Sequence, residues 1–321
     1  RDFCLSRGLG DVYKRQTYVD LLIEYAAKNK DIVILEADLM KAGGTFRFAE
    51  KYPERTFDVG IQEANMIGTA AGMSAMGKIP FTHTFTAFAT RRVCDQVTLS
   101  VAYAGLNVKM MGSDPGVTAE YNGGTHMSME DVSIMRNIPG MIVYEPVDSA
   151  QLKAIFPQIV DHYGPVYIRL LRRNAVKVFE DGETFELGKG KLMREGSDVS
   201  IFATGIMVAD AVEAVEELEK EGIHAELINI HTVKPLDEEM VLASVAKTGC
   251  AVTAENHSVI GGLGSAVAEL LVEKDPVPVK KVGVMDHFGE VGLTPYLKEK
   301  YGLTAKDIIA AAKAAIAMKK R

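Results

Sequence analysis

Short runs rich in β-branched residues alternate with longer amphipathic runs along most of this chain, and that alternation limits the fold more than any single residue. Residues 17–29, TYVDLLIEYAAKN, carry apolar side chains at helical spacing and close on Asn29. Residues 31–38, DIVILEAD, follow as a strand-length run. Further strands are expected at residues 56–60, 78–85, 106–112, 140–146 and 165–171, with helical text between most of them. Strands separated by helices predict a mainly parallel sheet with helices on both faces. The same alternation starts again at DVSIFATG (198–205), runs through the helix MVADAVEAVEELEKEG with Gly222 at its end, and continues through HAELINI, CAVTAEN and VPVKKVGV. The fold class is therefore α/β, in two consecutive domains. No repeat relates the two halves.

Between them, the charged and Gly-containing stretch NAVKVFEDGETFELGKGKLMREGSD reads as a connection between domains. The expected organisation is a first domain over 17–175, a linker over 176–190 and a second domain over 191–321. Residues 1–16, RDFCLSRGLGDVYKRQ, have neither period and are expected to be non-native or disordered.

Composition excludes several function classes. A net charge of −7 over 321 residues gives no electrostatic footprint for nucleic acid or an anionic membrane. Cys4, Cys94 and Cys250 are odd in number, far apart and without a CxxC pair, which argues against a disulfide framework and for a reducing, cytoplasmic setting. No apolar run is long enough to span a bilayer, so no membrane partner is expected.

The chemistry centres on residues 57–88, where Glu63 is a single carboxylate among Gly, Ala, Met and Ile. On the first turn of a helix such a group either complements the helix dipole from solvent or is held by an apolar wall, protonated and able to donate. Phe81, Phe85 and Phe88 share a face if that segment is helical; otherwise they are core. Spacing alone leaves both pairs of readings open.

DVGIQEANMIGTAAGMSAMG followed by PFTHTFTAFATRR resembles the pyrimidine-binding domain of transketolases. The resemblance continues through EYNGGTHMSMEDVSIMRNIPGM and GPVYIRLLRR, and AENHSVIGGLGSAVAE resembles the C-terminal domain of the same enzymes, so that the chain is covered from about Thr17 to its end. It implies an enzyme that transfers a two-carbon ketol unit between ketose and aldose phosphates with thiamine diphosphate. Glu63 matches the glutamate that hydrogen-bonds the cofactor's pyrimidine nitrogen and favours the reactive tautomer. Phe85 and Phe88 match the rings that line or stack on the aminopyrimidine. Asp38 matches an acid near the cofactor and subunit interface, although an Asp after a strand is commonly a helix cap. His126, after glycines that let backbone approach a ligand, matches the histidine that contacts substrate hydroxyls. Asn122 stands where the family has an acid facing the acceptor sugar, a departure that bears on acceptor choice. Arg172 matches the arginine for a substrate phosphate, with Arg169 and Arg173 as substitutes.

The GGLG at 261–264 and His257 resemble a phosphate cradle only superficially, and the structural reading is preferred for both. Family members hold Mg²⁺ and the diphosphate through a GDG segment, and none occurs here. No metal ligand is assigned to this chain. The resemblance therefore implies half a site, completed by an N-terminal subunit that carries the diphosphate-binding domain, in a dimer of heterodimers. Truncation of a longer gene is the alternative. Related readings are a beta-type subunit of a 2-oxo acid dehydrogenase, a deoxyxylulose-phosphate-synthase-like enzyme, and a non-catalytic regulatory paralogue.

Overall fold

The strands expected from the alternation form two mainly parallel sheets, and one strand from the second half joins the sheet of the first. The structure is a computed structural model that describes residues 11–172 and 174–319. The larger sheet has seven strands in the order Thr232–Lys234, Ile142–Tyr144, Val166–Leu170, Lys109–Ser113, Ile79–Phe85, Ile32–Glu36 and Thr56–Asp58. All of its pairings are parallel except that of Thr232–Lys234, which runs antiparallel to Ile142–Tyr144. The strands at 32–36, 109–113 and 166–170 are buried at every position, as mostly apolar strands between two helical layers should be.

Topology decides where a ligand can sit. Strand Ile32–Glu36 pairs with Thr56–Asp58 on one side and Ile79–Phe85 on the other, so the chain changes direction across the sheet there. In open α/β sheets the crevice beyond the carboxyl ends at such a reversal is the usual binding place. The helix Glu63–Ala75 leaves that end and buries Met66, Ile67, Ala70, Ala71 and Ser74, one stripe at helical spacing, against the sheet. Register then aligns Phe85 with Ser113 and Ser113 with Leu170, which puts three strand ends side by side.

The second sheet has the order Val279–Val284, Ala251–Ser258, Val199–Ala203, Ala225–Asn229 and Lys191–Arg194, parallel but for its last strand. The two halves are tied by polar groups. Asn256 accepts from the Val117 amide at 3.0 Å and donates to the Pro115 carbonyl at 2.9 Å. Glu120 accepts from the Thr294 amide and hydroxyl at 3.0 and 2.6 Å. Arg169 is fully buried between Asp131 and Glu145 and donates to the Asn256 carbonyl at 2.6 Å.

One expectation changes. Residues 11–16 are built into the fold rather than disordered: Asp11–Tyr13 pairs antiparallel with Asn174–Val176, and buried Lys14 donates to the Pro146 carbonyl at 2.9 Å. Residues 1–10 lie outside the described residues. Residues 177–190, within the expected linker, form no helix or strand and are pinned to the first domain. Asp148 accepts from the amides of Val178 and Phe179 at 2.8 and 2.7 Å, and Phe179 packs on Phe185 with ring centroids 4.8 Å apart. No helix among the described residues is long and apolar enough to cross a membrane.

Candidate active site

Glu63 opens its helix with the side chain turned inward, 3% exposed, at the end of strand Ile79–Phe85. Neither of the two local readings describes it fully, since it is buried but not against an apolar wall. One carboxylate oxygen accepts from Arg92 Nη1 at 2.8 Å, and the other lies 3.5 Å from the Thr84 hydroxyl. The acid is buried, but it faces a guanidinium.

The three phenylalanines separate. Phe81 belongs to the core, stacked on Phe156 with centroids 5.8 Å apart, because it sits within the strand rather than on a helix. Phe85 ends that strand and Phe88 sits in the short turn of helix Thr86–Ala89, so the chain bends between them and sets their rings edge to face at 6.1 Å. His126 closes the group, its ring 5.5 Å from Phe85 and 5.1 Å from Phe88. Its Nδ1 lies 2.8 Å from the Thr125 hydroxyl. With that hydroxyl donating, the imidazole proton sits on Nε2, where it can be given to a ligand.

The glycines before His126 have a different cause from the one expected. Gly123 needs its left-handed φ of 71°, and a Cβ on Gly124 would stand 2.3 Å from the Gly289 carbonyl. They let the loop close on the second domain. Asn122 is exposed at the end of the same loop, four residues before His126.

Arg172 lies just past strand Val166–Leu170, with its guanidinium carbon 4.8 Å from the Phe85 centroid. Buried Asp114 holds it through Nε and Nη2, and also accepts from the Arg172 amide at 3.1 Å. Asp114 has a left-handed φ of 55°, an uncommon backbone for a non-glycine residue that aims the carboxylate at this arginine. The two substitutes differ: Arg169 is sealed in its own ion-pair cluster, and Arg173 lies outside the described residues. Asp38 is not gathered with the others. It is exposed, its amide donates to Asp58 at 3.0 Å, and it lines a separate surface hollow with Met40, Lys41 and Phe46.

The turn at 261–264 is filled from within. Glu255 accepts from the amides of Leu263 and Gly264 at 2.7 and 2.8 Å, so the first free amides of helix Leu263–Lys274 are taken by the chain's own carboxylate. Burial pushes the Glu255 carboxyl up, while His257 beside it and these amides pull it down.

A cluster of two phenyl rings and an imidazole, with one buried carboxylate nearby, has the chemistry to receive a flat heteroaromatic that needs one polar anchor. The transketolase pyrimidine-binding domain family matches residues 12–177, and the transketolase C-terminal domain family matches residues 188–308. The chain belongs to the transketolase family. This family depends on thiamine diphosphate. Among transketolase relatives, the 6-deoxy-6-sulfo-D-fructose transketolase subunit SqwH of Clostridium sp. (strain MSTE9) is 70% identical over 304 residues, covering 95% of this chain and 94% of that one. A putative transketolase C-terminal section from Methanocaldococcus jannaschii is 41% identical and covers 94% of this chain and 96% of its own. A solved structure described as a split gene transketolase, inactive beta4 tetramer, superposes with a TM-score of 0.88 at 45% identity, covering 97% of this chain and all of that one.

Sequence reasoning missed Arg92, Thr84 and Asp114. The arginine pair directly after an aromatic pair, ATRRV, was the available signal for Arg92. Nothing local marks Asp114, whose partner is 58 residues away.

Proposed function

We propose that this chain is the C-terminal subunit of a two-chain, thiamine-diphosphate-dependent transketolase that moves a two-carbon ketol unit from a ketose to an aldose. The observation that carries the reading is the buried carboxylate of Glu63 beside the aromatic group of Phe85, Phe88 and His126. When bound, thiamine diphosphate supplies the nucleophilic carbon that attacks the ketose carbonyl. Phe85 and Phe88 receive the flat ring and exclude water from it. Glu63 shares a proton with the ring nitrogen. His126 donates from Nε2 to the hydroxyls and developing oxyanion of the sugar. Asn122, on the same loop, faces the acceptor.

Arg172 takes the anionic tail of the sugar, presented past the strand end with its plane beside Phe85. That tail is a phosphate or, as the name of the Clostridium relative points to, a sulfonate; both are tetrahedral oxyanions that a guanidinium can grip. Asp38 serves the subunit boundary. An N-terminal subunit holds Mg²⁺ and the diphosphate, and two such pairs associate.

The test is reconstitution. The purified chain alone should be inactive, and adding the diphosphate-domain subunit, thiamine diphosphate and Mg²⁺ should restore ketol transfer from a 6-phospho or 6-sulfo ketose. Glu63→Ala should abolish it. Full activity without the second subunit, or an active Glu63→Ala complex, refutes the reading.

A further inference from the structure

Arg92 occupies the space between the two groups assigned to the cofactor's ring. Its guanidinium carbon lies 3.7 Å from the Phe88 ring centroid, and its Nη1 is 2.8 Å from Glu63. A guanidinium is planar and carries donors along its edge, so it meets an aromatic face and a carboxylate with the same shape and polarity as an aminopyrimidine. At 3.7 Å the plane is in van der Waals contact with the ring, and no second flat group fits between them. The same hydrogen bond occupies Oε2 of Glu63, while Oε1 faces the Thr84 hydroxyl.

We propose that Arg92 is a displaceable cap on Glu63 and Phe88, which a pyrimidine ring must push out in order to bind. The inference rests on the thiamine-diphosphate reading above. The arginine is built to leave: its side chain is 43% exposed, while Glu63 is 3% exposed, so the base swings into solvent while the acid stays fixed. Its neighbour Arg91 points elsewhere, to Glu130 at 2.8 Å and to the Thr125 carbonyl at 3.3 Å, and braces the loop that carries His126. Opening the cap exchanges a cation for the ring that needs the acid, and in the closed state Glu63 is satisfied without water.

The test is calorimetric titration of thiamine diphosphate into the two-subunit complex with Mg²⁺, for the wild type, Arg92→Ala and Arg92→Lys. An exposed ion pair and a cation–π contact are both lost on opening, so Arg92→Ala should bind about five- to thirtyfold more tightly than the wild type. Arg92→Lys keeps the charge but loses the flat stack and should fall between them. Raising the salt concentration should speed association with the wild type relative to Arg92→Ala, because salt weakens the cap. Unchanged affinity in Arg92→Ala overturns the inference. Weaker binding does so too, and would make Arg92 a support for the bound ring. A wild-type complex that binds no thiamine diphosphate refutes the cofactor reading itself, and this inference with it.

Discussion

Replacing Arg169 with methionine should be the most damaging single change outside the site. The guanidinium donates to Asp131 at 2.7 and 3.2 Å, to Glu145 at 2.8 Å and to the Asn256 carbonyl at 2.6 Å. Its side chain and that of Asp131 are 0% exposed, and that of Glu145 is 4% exposed. Methionine fills similar space but takes away the guanidinium that both buried carboxylates are hydrogen-bonded to. Removing one partner of a buried ion pair costs about 3–5 kcal/mol, and the orphaned carbonyl adds about 1 kcal/mol. Against a typical total of about 5–15 kcal/mol, that is a large part of the stability of the first domain, which carries all three charged groups. The pH dependence gives a second signature. Burial pushes the Asp131 carboxyl up, but Arg169 and then His257 outweigh it and hold the carboxyl below its ordinary value. A depressed carboxyl adds stability above its unfolded value, and that stability is lost as pH falls through the folded one. Without Arg169 the effect of burial prevails, the carboxyl takes a proton in weak acid, and the deficit of the variant should shrink between about pH 7 and 5. Urea unfolding followed by circular dichroism at both pH values measures this. A loss below about 1 kcal/mol, or one equal at both pH values, refutes the ion-pair account. Arg169→Met with Asp131→Asn should cost less than the sum of the two single changes.

Phe81→Ala should cost about 3–5 kcal/mol as a core cavity, whereas Phe88→Ala should barely move the melting temperature yet weaken thiamine diphosphate binding to the two-subunit complex. Calorimetry of both variants decides whether core and site divide there. Burial pulls the His231 imidazole down to about 4, so the unfolded chain gains a proton below the ordinary value of 6.5 that the folded chain refuses. Stability should therefore fall by about 3 kcal/mol from pH 6.5 to 4, and His231→Phe should flatten that slope in acid titrations of the unfolding midpoint. Gly262→Ala should loosen helix Leu263–Lys274, since its Cβ would stand 2.0 Å from the Glu255 oxygen that caps it; faster amide exchange at Leu263 and Gly264 is the readout.

Much of the sheet was legible because its strands at 32–36, 109–113 and 166–170 are buried at every position and are mostly apolar. Thr232–Lys234 was not, because HTVKP reads as a turn and its partner Ile142–Tyr144 lies in the other half of the chain, a pairing no local period encodes. What holds residues 177–190 in place was not legible for a similar reason: the carboxylate of Asp148 that pins them comes from 30 residues upstream of Val178. In the site, Glu63, Phe85, Phe88 and His126 were visible as residue types, but their meeting depends on a bend after Phe85 and a loop closing on Gly289. The two arginines of IRLLRR show what a closer reading could have extracted. Arg169 lies inside a strand whose every neighbour is apolar, and a guanidinium there must be buried with acids; Arg172 lies beyond Leu170, the last residue of the ladder, where α/β sheets keep their ligands. Strand-end position therefore separates the structural arginine from the one proposed to bind substrate without reference to any relative, and it also explains why Arg172 needs Asp114. Past the ladder no backbone pairing fixes a side chain, so a strained aspartate at the neighbouring strand end does so instead.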